Sequence, residues 1–304
     1  MEKPELMLIE TLAKIRNLHV WERDEERAPH KPLLLLFAFG RAQLGADRLL
    51  PWKEIEDPLR SLLEDFGPPR PSHHPEYPFW YLQTDELWEV VDSGLPGRRQ
   101  KGGGKLGNPR VTELRRCNTK GGLPVPVFQL ATQDPQALSQ LVTEILNRHF
   151  PFSFHDDILE QTGLRIATDR FAPYRDSQFE ADVLDAYGFE CAVCGFGARL
   201  GSRSLGVEGT FIRWPQAGGP IVLSNSLALC LIHKRAFERG AFSVGPDGRL
   251  LVSAALVMAE SADATCRPVP GQRLRQPKNS SASPQKEQLK WHREQVFRSP
   301  AVET

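Results

Sequence analysis

Apolar residues recur at helical spacing through the first half of the chain. From residue 6 to residue 18 every third position is leucine or isoleucine, which predicts an amphipathic helix. Similar patterns predict helices over 31–45, over the segment WKEIEDPLRSLLEDF and over 134–150, where an aspartate is the expected N-cap. By contrast, FWYLQTDELWEVV is rich in aromatic and β-branched residues around a polar turn, which predicts a pair of strands. The first half is therefore predicted to be a mostly helical domain with a small sheet.

Two changes further along the chain indicate domain boundaries. Residues 153–172 are interpreted as a linker that leads into a second unit. Near the C-terminus, the segment GQRLRQPKNSSASPQKEQ is rich in proline, serine and glutamine, a composition typical of disorder. We therefore predict an α+β protein with domains at 1–152 and 173–262, followed by a polar, partly disordered tail over 263–304.

Composition excludes a membrane protein but leaves nucleic acid open as a partner. The 304 residues include 38 Lys and Arg and 38 Asp and Glu. The longest apolar run, residues 33–39, is too short to span a bilayer, and the N-terminus lacks a targeting pattern, so we expect a cytoplasmic location. Residues 98–120 carry eight Lys or Arg and one Glu around a glycine-rich core. This basic loop favours a polyanionic partner, the alternative being a solvent-facing loop.

Two short-spaced ligand pairs stand in the second domain, at Cys191-x-x-Cys194 and Cys230-x-x-His233. Five cysteines, an odd number scattered over 304 residues, argue against a disulfide framework. Paired Cys and His ligands are typical of tetrahedral zinc, and four protein ligands leave no open position for a reacting water. We therefore predict a structural zinc ion. The alternative is that the cysteines are small buried side chains and the histidine lies on the surface.

The sequence around these ligands resembles the zinc-containing HNH endonucleases of modification-dependent restriction. The resemblance lies in the segments CAVCGFGARLG, VEGTFIRWPQAGG and SNSLALCLIHKRAFERGAF. It implies a ββα-metal fold, the four zinc ligands named above, and Asn225 as the asparagine that orients the general base. Where the family has the base histidine this chain has Phe211, and where it has a histidine for the catalytic ion this chain has Lys234.

Neither replacement can perform the chemistry that the resemblance implies. A phenyl ring accepts no proton, and an ammonium group is repelled by a divalent cation. Glu208 is the one nearby group that could act as a base, but on a strand it faces away from Phe211, and a salt link is its expected role. We therefore predict a catalytically impaired module. The alternative is an active nuclease that uses Mg²⁺ or Mn²⁺.

The first domain resembles the sulfur-binding domains that precede such HNH modules. The resemblance lies in the segments APHKPLLLLFAFGRAQLG, IEDPLRSLLEDFGPPR, HHPEYPFWYLQTDELWEV and LGNPRVTELRR. It implies recognition of phosphorothioated double-stranded DNA, in which sulfur replaces a non-bridging phosphate oxygen. By this analogy Tyr77, Pro78 and Tyr81 lie at the sulfur. His30, Lys31 and Arg110 lie at neighbouring phosphates or bases.

The chemistry of the modification suits these residue types. Sulfur is larger and less strongly hydrated than oxygen, so an apolar surface favours it, while the flanking phosphates require cations. The alternative is that the aromatic residues belong to the core and the cations to the solvated surface.

Three functions remain open from the sequence alone. The first is a reader of modified DNA with a pseudo-nuclease module. The second is an active modification-dependent endonuclease, and the third is an interaction scaffold in which the zinc module docks a protein. Phe211 and Lys234 favour the first function over the second. The sequence also leaves homodimerisation open.

Overall fold

The computed structural model describes residues 3–19, 29–91, 110–166, 177–259 and 267–302. The chain divides into two compact units, residues 1–172 and 173–304. Each unit combines helices with small antiparallel sheets, so the fold is α+β, as the sequence predicted. None of the helices in the described part of the chain is long and apolar enough to cross a membrane.

In the first unit, helix α2 lies at the centre. The elements of this unit are α1 Lys3–Arg16, α2 His30–Gln43, β1 Leu49–Pro51, α3 Trp52–Phe66, α4 Glu76–Tyr81, β2 Glu89–Val91, α5 Val111–Arg116, β3 Lys120–Gly122, α6 Val125–Gln133, α7 Pro135–His149 and α8 His155–Thr162. Residues 32–40 of α2 are all buried, and the helix contacts α3, α4, α6, α7 and α8. A helix that is apolar on every side, as KPLLLLFAFG is, must be enclosed in this way.

The other long helices of this unit confirm the sequence predictions with small changes in their bounds. Helix α7 begins after Asp134, whose carboxylate accepts the backbone N–H groups of Gln136 and Ala137 at 2.9 and 3.0 Å. These contacts are those of an N-cap, which satisfies N–H groups that the helix itself leaves without an acceptor.

The strand pair predicted in FWYLQTDELWEVV is wrong. Helix α4 and a 3-10 turn over 82–85 occupy its first part, and β2 alone is a strand, which pairs with β3. Phe79 is fully buried and packs edge to face on Trp52, with ring centroids 4.9 Å apart. The prolines of HPEYP suit the first turn of a helix, and burial of the aromatic rings outweighs their strand propensity.

Helix α8 lies inside the segment that the sequence predicted to be a linker. Ile158 is fully buried, and α8 packs on α2 and α3. Gly40 of α2 permits this approach, since a Cβ at that position would lie 2.0 Å from the carbonyl oxygen of Thr162. Residues 155–162 therefore belong to the first unit, because the buried side chains of Ile158 and Leu159 anchor α8 on an apolar partner.

The second unit is built on three pairs of antiparallel strands and three helices in its described part. Its elements are α9 Ser177–Ala186, β4 Arg199–Leu200, β5 Arg203–Ser204, β6 Val207–Phe211, β7 Ser226–Cys230, α10 Leu231–Glu238, β8 Phe242–Val244, β9 Leu250–Val252 and α11 Lys286–Gln295. Strand β7 is wholly buried and pairs with β6, with Phe211 opposite Ser226. Helix α10 follows β7 without a loop and packs against both strands, and α9 covers the same pair.

Helix α11 lies in the segment predicted to be a partly disordered tail. It packs against β8, and its Trp291 and His292 are buried. The His292 ring stacks on Phe237 with centroids 3.7 Å apart, and its Nδ1 lies 2.9 Å from Ser243 Oγ. Burial lowers the pKa of His292 to about 3. The apolar positions in LKWHREQVF therefore anchor the described end of the chain in the second unit, although the segment before them is polar.

Candidate functional site

A cavity of about 630 Å³ opens on the first unit where the start of α2 meets α4. Five of the six side chains that the sequence predicted to contact DNA line this cavity: His30, Lys31, Tyr77, Pro78 and Tyr81. Arg110, the sixth, is exposed at the N-terminus of α5 and does not line the cavity. The structure thus brings two segments that are distant in sequence to one concave surface.

One wall of the cavity is aromatic. Tyr77 and Tyr81 stand four residues apart on α4 and therefore face the same side, with ring centroids 6.5 Å apart. The His74 ring stacks on Tyr77 at 4.9 Å. Phe79 and Trp80 face the core and are 0% and 7% exposed. Helix α4 therefore divides its side chains between the cavity and the core, and the wall toward the cavity is largely apolar.

Lys31 lines the cavity, at a part of its surface that we term the floor, and forms an ion pair with the buried Asp85. The Lys31 ammonium donates to Asp85 Oδ2 at 2.5 Å, and the side chains of Lys31 and Asp85 are 13% and 2% exposed. The other carboxylate oxygen accepts the backbone N–H of His19 at 2.8 Å and lies 3.1 Å from His19 Nδ1. Sequence reasoning missed Asp85, because a carboxylate in the turn QTDE is ordinarily exposed.

The rim of the cavity comes from a segment that sequence reasoning also missed. The additional lining residues are His19, Arg70, Ser72, His73, His74 and Thr84, four of which lie in this segment. His74 lies between Ser72 Oγ at 3.1 Å and Glu76 Oε1 at 3.0 Å. Three basic side chains within the proline-bounded stretch RPSHHPE were the signal that could have identified this rim. The cavity therefore combines the cations Lys31 and Arg70 with the imidazole rings of His30, His73 and His74 beside an apolar wall.

Part of the predicted basic loop, residues 98–109, lies outside the described residues. Among its other cations, Arg115 forms an ion pair with the buried Glu56 at 2.7 Å. Arg110, Arg116 and Lys120 are exposed. Arg115 is therefore engaged within the protein, whereas these three side chains face solvent.

The second unit holds a group of four side chains that could bind a metal ion: Cys191, Cys194, Cys230 and His233, whose candidate ligand atoms all lie within 4.8 Å of one another. The first pair lies on a turn after α9, in which the Gly195 N–H donates to the carbonyl of Cys191 at 2.8 Å. Gly195 has a φ of +76°, which favours glycine. The second pair lies at the junction of β7 and α10. The fold therefore brings together the four side chains that the spacing predicted to share one metal ion.

The electrostatics of this group favour a thiolate at Cys191. Its pKa is lowered, chiefly by a hydrogen bond from Cys230 and also by one from His233, whereas burial raises the pKa of Cys194 and the hydrogen bond with Cys191 raises the pKa of Cys230. The backbone N–H of Phe196 donates to Cys194 Sγ at 3.4 Å. Sulfur in its charged form is the state that binds metal ions. The four side chains thus suit a soft or borderline cation.

Asn225 is fully buried, and its side chain closes the loop between β6 and β7. Its Oδ1 accepts the backbone N–H of Arg213 at 2.9 Å, and its Nδ2 donates to the carbonyls of Arg213 and Pro220 at 2.8 Å each. All of its polar atoms are thus engaged with backbone. Removing the side chain would leave buried backbone groups without partners, so Asn225 has a structural role in this loop.

Phe211 and Lys234 each make a contact inside the second unit. The Phe211 ring stacks on Phe179 of α9, with centroids 5.2 Å apart and an interplanar angle of 11°. The Lys234 ammonium donates to Glu208 Oε2 at 2.7 Å. The predicted salt link of Glu208 is therefore confirmed, and its partner is Lys234. An apolar stack and an ion pair stand at the positions where the resemblance implies a base and a metal ligand.

Comparison with solved structures finds similarity to sulfur-binding domains. The sulfur-binding domain of ScoMcrA complexed with phosphorothioated DNA is 25% identical, with 50% of this chain and 94% of that chain covered and a TM-score of 0.41. That of SprMcrA, also complexed with phosphorothioated DNA, is 23% identical, with 52% and 94% covered and a TM-score of 0.40.

The Type IV phosphorothioation-dependent restriction endonuclease ScoMcrA is 22% identical, with 65% of this chain and 40% of that chain covered and a TM-score of 0.44. No curated protein matches the chain. A protein-family model does match it, that of the ScoMcrA-like DNA sulfur-binding domain, over residues 9–167. Because this match spans more than half of the 304 residues, the chain belongs to the ScoMcrA-like DNA sulfur-binding domain family.

Proposed function

We propose that this protein binds phosphorothioated double-stranded DNA through the cavity of its first unit and does not cut the DNA that it binds. The observation that carries the proposal is the convergence of Tyr77, Pro78 and Tyr81 with Lys31 on one cavity, in a chain of this family. Sulfur-binding domains of two relatives have been solved with phosphorothioated DNA.

The wall of α4 is suited to a sulfur atom. Pro78 is buried and has no N–H group, and the Tyr77 and Tyr81 rings flank it. A non-bridging phosphate oxygen against Pro78 and the ring faces would lose hydration without gaining a donor from them, whereas a sulfur loses less. The wall therefore contributes discrimination between the two backbones.

Cations around the wall are suited to the phosphates on either side of the sulfur. Lys31, His30 and Arg70 line the same cavity, and Arg110 with the basic loop over 98–120 adds further positive charge. Each contact with a phosphate releases a bound counterion, so affinity falls as salt rises. Cations supply most of the affinity in this arrangement, and the apolar wall supplies the preference for sulfur.

In the second unit, the four clustered side chains hold a structural zinc ion. Zinc bound at about 2.3 Å from sulfur and 2.0–2.1 Å from nitrogen separates its ligand atoms by roughly 3.6–3.8 Å. The corresponding distances are 4.0 Å between Cys194 Sγ and Cys230 Sγ, 3.6 Å between Cys191 Sγ and His233 Nδ1, and a shorter 3.2 Å between Cys230 Sγ and His233 Nδ1. The donor set supports zinc, which would tie the turn after α9 to the start of α10.

Within the second unit, β6, β7 and α10 form the HNH-like module, and its catalytic positions carry other residues. Stacking on Phe179 gives Phe211 a packing role, and no proton can be accepted by its ring. The Lys234–Glu208 pair places an ammonium where the resemblance implies a divalent ion, and it neutralises the nearest carboxylate. The general base and one ligand of the catalytic metal are thus both replaced, and loss of a general base typically lowers a rate by a factor of about 10² or more.

Restoring both histidines tests the nuclease half of the proposal. The double variant Phe211→His with Lys234→His is expected to produce metal-dependent scission of phosphorothioated duplex in Mn²⁺ or Mg²⁺. Each single variant is expected to do little, because base and metal act on the same water and phosphate. Metal-dependent scission by the unaltered protein would instead favour the active endonuclease. Asn225→Ala is a poor control here, because Asn225 closes the β6–β7 loop.

A comparison of matched duplexes tests the reading half. One duplex carries a single phosphorothioate and its twin carries only ordinary phosphates. We expect tighter binding of the first duplex and a steep loss of affinity for both as salt rises. Equal affinities would refute sulfur recognition, and no binding of either duplex would favour the interaction scaffold.

A further inference from the structure

The Lys31 ammonium on the cavity floor is held by a buried carboxylate. Asp85 lies just after α4, on the 3-10 turn that follows Tyr81, and its side chain is 2% exposed. Its Oδ2 accepts from Lys31 at 2.5 Å. A carboxylate is rarely buried unless it is paired, so the ion pair with Lys31 is what stabilises the buried carboxylate.

Both oxygens of Asp85 have further partners, one beyond α1 and one on its own 3-10 turn. The backbone N–H of His19, beyond α1, donates to Oδ1 at 2.8 Å, and Thr84 Oγ lies 3.4 Å from Oδ2. The carboxylate is therefore fixed from two sides. In consequence, the position of the Lys31 ammonium is also fixed, although a lysine side chain is flexible by itself.

This pairing has two consequences for a phosphate backbone. The charge of Lys31 is offset by Asp85, so the floor attracts an ordinary phosphate less than a lone ammonium would. The Lys31 side chain is also only 13% exposed, so its ammonium meets only a backbone group that enters the cavity against the aromatic wall. Contact with Lys31 is thereby coupled to contact with Tyr77, Pro78 and Tyr81.

We propose that Asp85 is a specificity-determining residue, which suppresses binding of ordinary DNA by holding Lys31 on the cavity floor. The inference rests on the proposed recognition of phosphorothioated DNA. Without the carboxylate, the ammonium carries a full positive charge and its flexible stem reaches phosphates at the mouth of the cavity. Ordinary duplex then gains a contact that bypasses the aromatic wall, and phosphorothioated duplex gains less.

The test measures dissociation constants of the full chain for the two matched duplexes at several salt concentrations. For Asp85→Asn we expect the affinity for ordinary duplex to rise about fivefold, comparable with one added surface ion pair. The ratio between the two duplexes is expected to fall, and the salt dependence for ordinary duplex to steepen by about one counterion. A change that merely damaged the fold would lower both affinities, so the direction of the change separates the two roles.

Matched variants complete the test. Glu86→Gln removes one negative charge at the next position, where Glu86 is 75% exposed and pairs with Lys14, and it is expected to leave the ratio unchanged. Asp85→Glu keeps the charge and is expected to retain most of the ratio. In a protein that already carries Lys31→Met, the further change Asp85→Asn is expected to leave the ratio as it is, because Asp85 acts by holding Lys31.

Asp85→Ser supplies a second neutral variant if the asparagine variant does not fold. A ratio that stays constant in the folded neutral variant, whether both affinities rise, fall or stay the same, overturns the inference. Failure of the proposed function is distinguished from this outcome, because the unaltered protein would then show equal affinity for the two duplexes.

Discussion

Replacing Cys230 by alanine is expected to unfold the second unit and to leave the first unit folded. Cys230 ends β7, precedes α10 and supplies one of the four clustered ligands. Apparent binding free energies of structural zinc in peptides are about 10–16 kcal/mol, comparable with the whole stability of a domain. Cys191→Ala is expected to behave in the same way, since it removes a ligand from the other turn.

Metal content and thermal unfolding check this expectation together. The unaltered protein should contain about one zinc ion per chain. Cys117→Ala is the matched control, because Cys117 is buried in the first unit and lies outside the metal cluster. That variant should keep its zinc and both unfolding transitions. Correctly folded, freshly purified protein without zinc would contradict the expectation.

Replacing Pro78 by aspartate is expected to abolish the preference for phosphorothioated duplex. A carboxylate at this wall would repel the anionic backbone and would replace an apolar contact with a hydrated group. Tyr77→Ala removes one flanking ring without adding charge, so it should lower the preference in part. The measurement is the affinity ratio of the two matched duplexes.

A carboxylate elsewhere on the same unit is the control for the added charge. Val125 is 45% exposed at the start of α6, where an acidic residue suits the helix N-terminus. Val125→Asp should leave the ratio unchanged. If Pro78→Asp folds and retains the ratio of the unaltered protein, the sulfur does not lie at the wall of α4.

The metal cluster was predictable from sequence because each ligand pair is local. Three-residue spacing puts Cys191 beside Cys194, and Cys230 beside His233, in a single turn. What the sequence did not reveal was the packing that joins the two turns, since it depends on β7 and α9. The hydrogen bond from Phe196 to Cys194 Sγ follows from the same turn and could have been expected.

The cavity was predictable only in part. The resemblance supplied the residues of α4 and the start of α2, but α4 itself was expected to be a strand because its aromatic residues favour strands in isolation. Asp85 was missed because its partners, His19 and Lys31, come from other segments. Short-range periodicity carries no information about such contacts.

The altered nuclease positions show a similar limit. Loss of a base and of a metal ligand follows from the chemistry of Phe211 and Lys234 alone. Phe211 now packs on Phe179, and Lys234 pairs with Glu208. Of these two partners, only Glu208 could be expected from the sequence, because it lies close to Phe211 on the same strand. The ring of Phe179 comes from α9, whose approach to β6 depends on the fold of the whole unit.

The most direct measurement follows binding and cleavage of two duplexes in the same tubes. The duplexes are identical except for one phosphorothioate, and the unaltered protein is supplied with Mg²⁺ or Mn²⁺. We predict tighter binding of the phosphorothioated duplex and no strand scission of either duplex. Equal affinity for the two duplexes, or metal-dependent scission of the modified one, would contradict the proposal that this protein reads modified DNA without cutting it.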